Sequence, residues 1–375
     1  MGRTIIASGA DQAVKRYSAF LTLEAIAQSY WLSKFMGVYR KGGNNKPITL
    51  ITDLEKAAGD VVTYDLFMRL RGEGVEGDDI LKGNEEKLVP YTDTLYIDQK
   101  RHGVDTGGKM TKKRTVHDLR AVARDRLAAW FAEQYDENFF AYLAGIRGSD
   151  TNWVNPVAWT GRASNSFSQP DADHLVYGGD ATRAGDLAAE DIMDLSVVDK
   201  LVAKAKTIYP KMQPIVIDGK KHFVLLMHTF DAYNLRTNTS TGQWLDIQKA
   251  AAAKDGQKNP IFSDALGIYH DVILHEHEKV VRFDTTIYGV DAAGTGTETF
   301  AVPGSRCLFF GAQAGALAFG SPGEGLRYDW HEELEDRGNV LVVDAGAIFG
   351  VKKCIFNSKA FGVVACDVAS TDPNA

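Results

Sequence analysis

The feature that most constrains the fold is the uninterrupted segment from Thr115 to Gly145, which predicts one long helix. It contains no proline and no internal glycine, and its apolar residues recur at steps of three and four. They form the stripe Val116, Leu119, Ala123, Leu127, Phe131, Tyr135, Phe139 and Leu143. Thr115 is predicted to cap the start, with Asp118 in a capping box, and Gly145 suits the position just past the end. At about 1.5 Å per residue the helix would be about 45 Å long, so other elements must pack along it.

Length and composition favour a soluble protein with more than one subdomain. The chain has 375 residues, of which 45% are hydrophobic and 24% are charged, and its formal net charge is −7. This length exceeds what one hydrophobic core usually serves, and no apolar run approaches the length of a membrane span. The acidic balance argues against tight packaging of nucleic acid by the whole chain, but it is compatible with a shell that encloses nucleic acid.

An amphipathic helix is predicted from Tyr17 to Met36, ahead of a basic, glycine-containing stretch from Arg40 to Pro47. The helix carries many apolar residues, whereas the stretch after it is rich in residues that break helices. An apolar helix on such an arm is typical of a segment that docks on the body of its own chain or on a neighbouring copy.

A hairpin with a charged tip is predicted next. Alternating residues from Val62 to Leu70 and from Tyr91 to Asp98 indicate two strands. The glycine-rich segment between them cannot build a core, and its acids are Glu73, Glu76, Asp78, Asp79, Glu85 and Glu86. Because an isolated hairpin is marginally stable in water, we expect another molecule to supply a surface for this one.

The charge then reverses in a basic group. Its members are Lys100, Arg101, Lys109, Lys112, Lys113 and Arg114. The last three are predicted to lie at the start of the long helix, where the helix dipole is already positive. This unfavourable placement indicates a partner; the alternative is a set of ordinary solvated cations.

The remaining chain is predicted to contain both helices and strands. Residues 147–190 are polar with little periodicity, which predicts a surface insertion. A helix is predicted near Ser196 with Asp199 in capping-box position, and another from Thr239 to Lys254. Strands are predicted at residues 214–217, 222–227, 269–274, 280–283, 307–311, 339–343, 347–356 and 361–368.

Motifs for catalysis are few. His275 and His277 alternate along a predicted strand as a metal pair requires, but a third ligand would have to come from elsewhere, and the pair also fits a solvated strand face. The cysteines Cys307, Cys354 and Cys366 are odd in number and read as reduced, buried residues of a protein made in a cytoplasm. No catalytic residue, cofactor or metal is therefore expected.

An ordered set of short segments resembles the major capsid proteins of tailed phages of the N-four-like family. The segments are GDVVTY at residues 59–64, GNEE at 83–86, IDQKRH at 97–102, DLR at 118–120, LAAW at 127–130, GAQA at 311–314 and GVKKCIFN at 350–357. The resemblance implies an α+β fold of the Hong Kong 97-like capsid type. It implies an N-terminal arm at residues 1–58, an E-loop hairpin at 59–110, a peripheral domain with a spine helix and the polar insertion at 111–213, an axial domain at 214–335 and return strands of the peripheral domain at 336–375.

The same resemblance implies the partners. Copies of the chain would form hexamers and pentamers of an icosahedral head shell around double-stranded DNA, assembled in the host cytoplasm. A portal, a separate scaffolding protein and, less specifically, a decoration protein would be further partners, with no membrane. The acidic hairpin tip is expected to lie over a neighbour's basic group; the competing view is that the basic group faces the packaged DNA. The alternative function is a cytosolic metal-dependent enzyme that uses His275 and His277.

Overall fold

The computed structural model describes residues 21–22, 24–38, 46–55, 58–68, 70–217, 219–238, 265–290, 297–321 and 326–373. The described helices include α1 (Tyr30–Lys34), α2 (Lys109–Arg114), α3 (Leu119–Ala144), α4 (Leu195–Thr207) and α5 (Thr229–Thr237). The strands include β1 (Met36–Val38), β2 (Ile48–Ile51), β3 (Val61–Phe67), β4 (Pro90–Tyr96), β5 (Asp98–Gly108), β6 (Gly161–Arg162), β7 (Asn165–Ser166), β8 (Leu175–Tyr177), β9 (Ile215–Ile217), β10 (Lys220–Met227), β11 (Ala265–Tyr269), β12 (Val272–Glu276), β13 (Arg282–Phe283), β14 (Tyr288–Val290), β15 (Thr297–Thr299), β16 (Gly304–Phe310), β17 (Gly315–Gly320), β18 (Tyr328–Glu335), β19 (Val340–Lys353), β20 (Ile355–Phe356), β21 (Lys359–Ala360) and β22 (Val363–Ala369). The helix predicted from Thr239 to Lys254 lies outside the described residues.

The long helix is confirmed as α3, but its predicted start was wrong. Asp118 is the N-cap, because its carboxylate accepts hydrogen bonds from the backbone N–H groups of Arg120 and Ala121. Thr115 instead ends the preceding helix α2 in an extended conformation. At the other end Gly145 adopts φ 75° and its N–H bonds to the Ala141 carbonyl, as the sequence predicted.

A six-stranded sheet lies against α3. Its order is β1-β2-β17-β19-β18, and β5 pairs with β19 as well. The helix packs on this sheet through aromatic contacts: the ring centres of Tyr135 and Phe349 are 4.8 Å apart, and those of Phe131 and Tyr328 are 5.0 Å apart. The hydroxyl oxygens of Tyr135 and Tyr328 are 2.7 Å apart inside this layer. The apolar stripe of α3 therefore has the packing partner that its length required.

An eight-stranded sheet divides the rest of the core in two. Its order is β11-β12-β10-β16-β22-β8, with β13 on β16 and β9 on β10. Along β10, Val224 and Leu226 face the core that contains α3, while Leu225 and Met227 face the core that contains α4. A single strand was predicted at residues 269–274, but β11 and β12 form a hairpin there, because residues 270–271 have positive φ angles and make the turn.

The start of α4 also differs from the prediction. Asp194, not Ser196, is the N-cap, and its carboxylate accepts a hydrogen bond of 2.9 Å from the N–H of Val197. Asp199 instead bonds to Tyr269 and His270 on the β11–β12 hairpin. A polar residue two positions earlier in the chain is therefore the N-cap.

The N-terminal arm docks on the body of its own chain. The predicted helix from Tyr17 to Met36 is interrupted at Ser29 within its described part, and α1 follows it. The Ser29 hydroxyl and the N–H groups of Tyr30 and Trp31 donate to the carboxylate of Asp136 on α3, at 2.7, 3.0 and 3.1 Å. Burial raises the pKa of Asp136 to about 6, against the effect of these hydrogen bonds. The arm is thus tied to α3 by a buried cap.

The polar segment 147–190 is well packed despite its lack of periodicity. Its strand β8 joins the eight-stranded sheet beside β22, and Trp153 and Tyr177 are buried. Its Asn165 accepts a hydrogen bond from the N–H of Tyr96 and donates one to the Tyr96 carbonyl. The segment therefore supports the base of the hairpin that β3 and β4 form.

Candidate assembly surfaces

The predicted hairpin is confirmed. Strands β3 and β4 pair antiparallel in continuous register from Val61 opposite Tyr96 to Phe67 opposite Pro90. Beyond these pairs residues 70–89 form the tip, which is exposed at every position except the half-buried Val75. All six predicted acids thus lie on an exposed tip.

Two of the tip acids hold the tip together. The carboxylate of Glu86 accepts hydrogen bonds from the backbone N–H groups of Arg71 and Gly72, and these bonds lower the pKa of Glu86. The Glu85 carboxylate accepts a hydrogen bond of 2.7 Å from the N–H of Gly83. The other four acids are exposed beside large aliphatic side chains that are also exposed: Ile80 at 73%, Leu81 at 58% and Leu88 at 65%. The tip therefore combines negative charge with uncovered apolar area.

The base of the hairpin is anchored by a buried acid that the sequence patterns did not single out. Asp93 on β4 accepts a hydrogen bond from the Tyr64 hydroxyl at 2.7 Å and from the N–H of Ile355 at 3.1 Å. It also forms an ion pair with Lys352 on β19. These contacts fix the hairpin to the six-stranded sheet.

The prediction that three cations of the basic group lie at the positive end of the long helix was wrong. Lys112, Lys113 and Arg114 do not begin the long helix; they occupy the last turn of the separate helix α2. Cations are favourable at the C-terminal end of a helix, so no misplaced charge needs a partner here. All four cations of α2, including Lys109, are nevertheless exposed.

The two remaining basic residues lie on β5 and differ from each other. The Lys100 ammonium bonds to Gln134 on α3, lies 3.4 Å from the Asn155 Oδ1 atom and is 5.4 Å from the ring centre of Trp130. Burial lowers the pKa of Lys100 to about 8. Arg101 is exposed. Among the described residues, no ion pair joins an acid of the tip to a cation of the basic group.

Neither histidine of the pair lies on a solvated strand face, and His277 follows the end of β12 and is half-buried. His275 is fully buried, and its ring centre lies 5.6 Å from that of Phe35. His277 packs between Tyr30 and Phe140 at 4.6 and 4.8 Å, and burial, with help from nearby Lys279, lowers its pKa to about 4. In the described part of the chain no group of three or more His, Cys, Asp or Glu side chains is placed to hold a metal ion.

The cysteines are buried as expected. Cys307, Cys354 and Cys366 are free thiols inside the core, and burial raises the pKa of each. A thiol with a raised pKa is a poor nucleophile at neutral pH. Within the described ranges no helix is both long and apolar enough to cross a membrane.

A groove lies where the hairpin meets the body. Its volume is about 720 Å³, and its walls are the end of β3 on one side and the segment after α4 on the other. The Arg71 guanidinium lies 4.3 Å from the ring centre of Tyr209 and so bridges the two walls. A smaller cleft of about 340 Å³ lies between α2, β5 and the start of α3.

An extended hairpin and a docked arm accompany a core of two sheets, and comparison with known proteins gives the class of this chain. A family profile described as phage capsid protein matches residues 5–371, and the chain belongs to that family. The major capsid protein of Pseudomonas phage KPP25 is 27% identical over 360 residues, which cover 90% of this chain and 91% of that protein.

Solved capsid structures are similar over the whole chain. A chain from the capsid of Ralstonia phage GP4 is 42% identical, with a TM-score of 0.82 and 100% of both chains covered. A chain of the cyanophage Pam1 capsid shares the fold, with a TM-score of 0.67 at 24% identity over 92% of this chain and 93% of that chain. The chain is therefore a major capsid protein, and the alternative of a metal-dependent enzyme has no support.

Proposed function

We propose that copies of this chain assemble into hexamers and pentamers that form the head shell of a tailed phage of the N-four-like family and enclose double-stranded DNA. The observation that carries this proposal is the 42% identity to a chain of the Ralstonia phage GP4 capsid across the full length of both chains. Similarity in sequence and fold over the whole of both chains supports a shared role in a capsid.

The subdomain plan is of the Hong Kong 97-like type. Residues 1–58 act as the N-terminal arm, 59–110 as the E-loop, 111–213 with 336–375 as the peripheral domain, and 214–335 as the axial domain. The docked helix α1, the β3–β4 hairpin and the long helix α3 support this plan. A portal and a separate scaffolding protein complete the assembly in the host cytoplasm.

Contacts between copies use the acidic hairpin tip and a cationic surface of the neighbour. The exposed members of the basic group are candidates for that surface: Arg101, Lys109, Lys112, Lys113 and Arg114. Lys100 is less suited, because its ammonium already bonds within its own chain. The competing role for these cations is contact with the enclosed DNA.

Electron microscopy of the purified protein tests the proposal. We expect closed shells, or single hexamers and pentamers, and fivefold and sixfold capsomers in a reconstruction. A metal assay on the same sample tests the alternative of a metal-dependent enzyme. A chain that stays monomeric at all concentrations and with scaffolding protein present, or that holds stoichiometric zinc at His275 and His277, would contradict the proposal.

A further inference from the structure

A lysine, an asparagine and a glutamate meet where β5 lies beside α3. The Lys100 ammonium on β5 is 3.4 Å from the Asn155 Oδ1 atom. The Asn155 Nδ2 atom donates a hydrogen bond of 2.9 Å to the carboxylate of Glu137 on α3. Because an ammonium only donates and a carboxylate only accepts, these two neighbours fix the orientation of the Asn155 carboxamide. Its Cγ atom, which is bonded to both Oδ1 and Nδ2, therefore lies close to an amine on one side and a carboxylate on the other.

The three groups meet in a site that is mostly closed to water. Glu137 and Gln134 are fully buried on one face of α3, and Asn155 is almost fully buried. The ring centre of Trp130 lies 5.4 Å from the Lys100 ammonium. Burial lowers the pKa of Lys100 to about 8. At neutral pH a larger share of this side chain than of an exposed lysine is therefore a neutral, nucleophilic amine.

We propose that Lys100 and Asn155 of the same chain join through an isopeptide bond, and that Glu137 is the catalytic residue for this reaction. The bond would close a covalent ring of chain that contains α2 and the whole of α3. The reaction takes place within one folded chain and needs no second copy, so it does not depend on the proposed function.

The reaction is an acyl transfer whose atoms and protons balance. The Lys100 ammonium first loses one proton to water, and the neutral Nζ atom then attacks the Asn155 Cγ atom. Glu137 accepts a second proton from Nζ and passes it to the Asn155 Nδ2 atom, which leaves as ammonia when the Cγ–Nδ2 bond breaks. The new bond joins Nζ to Cγ, and the ammonia takes up the proton that water received. No oxidant, reductant or other co-reactant is required.

Backbone and side-chain contacts hold the Glu137 carboxylate beside the leaving nitrogen. The N–H groups of Val154 and Asn155 donate to it at 2.7 and 2.9 Å. The Lys279 ammonium lies 3.1 Å from its Oε1 atom. A base that is fixed within hydrogen-bond distance of the proton acceptor is what general acid–base catalysis requires.

Gln134 is a second carboxamide within reach of the lysine. Its Oε1 atom also accepts a hydrogen bond from the Lys100 ammonium. Among the residues that the structure describes, however, its buried Nε2 atom has no hydrogen-bond partner. Gln134 thus lacks the carboxylate that Asn155 has at its leaving nitrogen, which favours Asn155 as the reacting amide. The unpaired Nε2 donor is a candidate for stabilising the negative charge that develops on the Asn155 oxygen during attack.

Peptide mass spectrometry of the purified full-length chain tests the bond. Trypsin should not cut after Lys100 and should release one branched peptide made of residues 88–101 and 148–162. The mass of this peptide should be lower than the sum of its two parts by one ammonia molecule. The intact chain should show the same loss relative to the mass of its sequence.

Two variants should abolish the bond for different reasons. Lys100→Arg keeps a cation at the site but removes the amine, and Glu137→Gln keeps the size of the side chain but removes the base. Both should give separate peptides and an intact mass without the loss of ammonia. Glu133→Gln is the matched control, because Glu133 is a neighbouring acid of α3 that also pairs with Lys279. This control should retain the branched peptide.

Isotope labelling shows whether the bond lies within one chain. Shells assembled from a mixture of heavy and light chains should contain only branched peptides that are entirely heavy or entirely light. Branched peptides with one heavy and one light part would place the bond between copies and overturn the inference.

Three other results would also contradict the proposal. Separate peptides 88–100 and 148–162 from the wild type, both as the unassembled chain and in shells, would show that the bond does not form. A branch to residues 127–147 would identify Gln134, not Asn155, as the reacting amide. A branched peptide of normal yield from Glu137→Gln would remove the catalytic role of Glu137. If that variant fails to fold, the wild-type and Lys100→Arg peptides still decide whether the bond exists.

Discussion

Buried charged residues tie the end of the long helix to the strands. Arg306 on β16 and Asp367 on β22 are both fully buried and form two hydrogen bonds of 2.7 Å. A third nitrogen of Arg306 donates to the carbonyl of Ala144, the last residue of α3, at 3.0 Å. That carbonyl has no hydrogen-bond donor within the helix. A single arginine therefore donates a hydrogen bond to the last carbonyl of the helix and neutralises the buried carboxylate.

Removal of this arginine should destabilise the chain strongly. Arg306→Met leaves the Asp367 carboxylate buried without its cation, which costs about 3–5 kcal/mol. The double variant Arg306→Met, Asp367→Leu should recover most of the loss, since neither charge of the pair is left buried without its partner. Urea unfolding of the unassembled chain measures both. Equal stability of the single and double variants would show that the pair is not the source of the effect.

The histidine that packs on the N-terminal arm should make stability depend on pH. The folded pKa of His277, about 4, lies below the value of about 6.5 for an unfolded histidine. The unfolded chain therefore takes up a proton at this position first, so His277 lowers the free energy of unfolding as pH drops from about 6.5 towards 4. Asp136, whose folded pKa is raised to about 6, acts in the opposite direction, so the effect of His277 is read from the difference between the wild type and a variant.

His277→Phe keeps an aromatic ring between Tyr30 and Phe140 but cannot titrate. Its free energy of unfolding should fall less between pH 6.5 and 4 than that of the wild type. Measurement of both at pH 8, where the histidine is neutral, gives the change caused by packing and by loss of the hydrogen bond from the Lys279 N–H to the His277 Nδ1 atom. If the free energy of unfolding fell equally with pH in both chains, His277 would not be the acid-sensitive group.

At the scale of elements, α3 links the two sheets and the arm. Its residues contact β19, β5, β16 and α1, so a break in this one helix affects every layer. The stripe residues from Ala123 to Leu143 are buried and mark the positions where a break should matter most, whereas Val116, which was predicted to belong to the stripe, lies outside α3 and is fully exposed.

Leu127→Pro tests this dependence. Leu127 is buried in the middle of α3, and a proline there removes a backbone hydrogen bond and kinks the helix, at a cost of about 3 kcal/mol or more. We expect insoluble or unassembled protein. Val116→Pro is a suitable control, because Val116 is fully exposed between two helices and the residue before it is already extended. Normal particles from Leu127→Pro would contradict the role of α3.

At the scale of the whole molecule, the folded core and the proposed assembly surface on the hairpin tip are separate. The tip residues 72–88 belong to none of the buried clusters of the core. The hairpin base, in contrast, is anchored by Asp93 and supported by Asn165. Removal of the tip should therefore affect assembly without affecting folding.

Replacement of residues 73–85 by a Gly-Asn link is the corresponding experiment, and it keeps Gly72 and Glu86. The free energy of unfolding of the unassembled chain should change little, because none of residues 73–85 belongs to a buried cluster of the core. Shell formation should be lost. Shells of normal appearance from this variant would show that the tip makes no essential contact between copies.

Sequence patterns by themselves determined the elements whose signal lies in consecutive residues. The periodic stripe and Gly145 predicted α3 and its end, and alternation around a glycine-rich acidic segment predicted the hairpin. The ordered short segments predicted the capsid protein class, which the family match confirmed. These predictions succeeded because periodicity, turn residues and segment order are properties of neighbouring residues.

Only the tertiary structure decided what distant residues do to one another. The break between α2 and α3 depends on Asp118, rather than Thr115, being the N-cap of α3. This break places the basic residues at the favourable C-terminal end of α2 instead of at the unfavourable start of the long helix. Burial of His275 and pairing of Arg306 with Asp367 depend on strands far apart in sequence. The groove joins residues near 70 to residues near 210. Burial and charge pairing are set by which surfaces meet in space, and no local pattern encodes that.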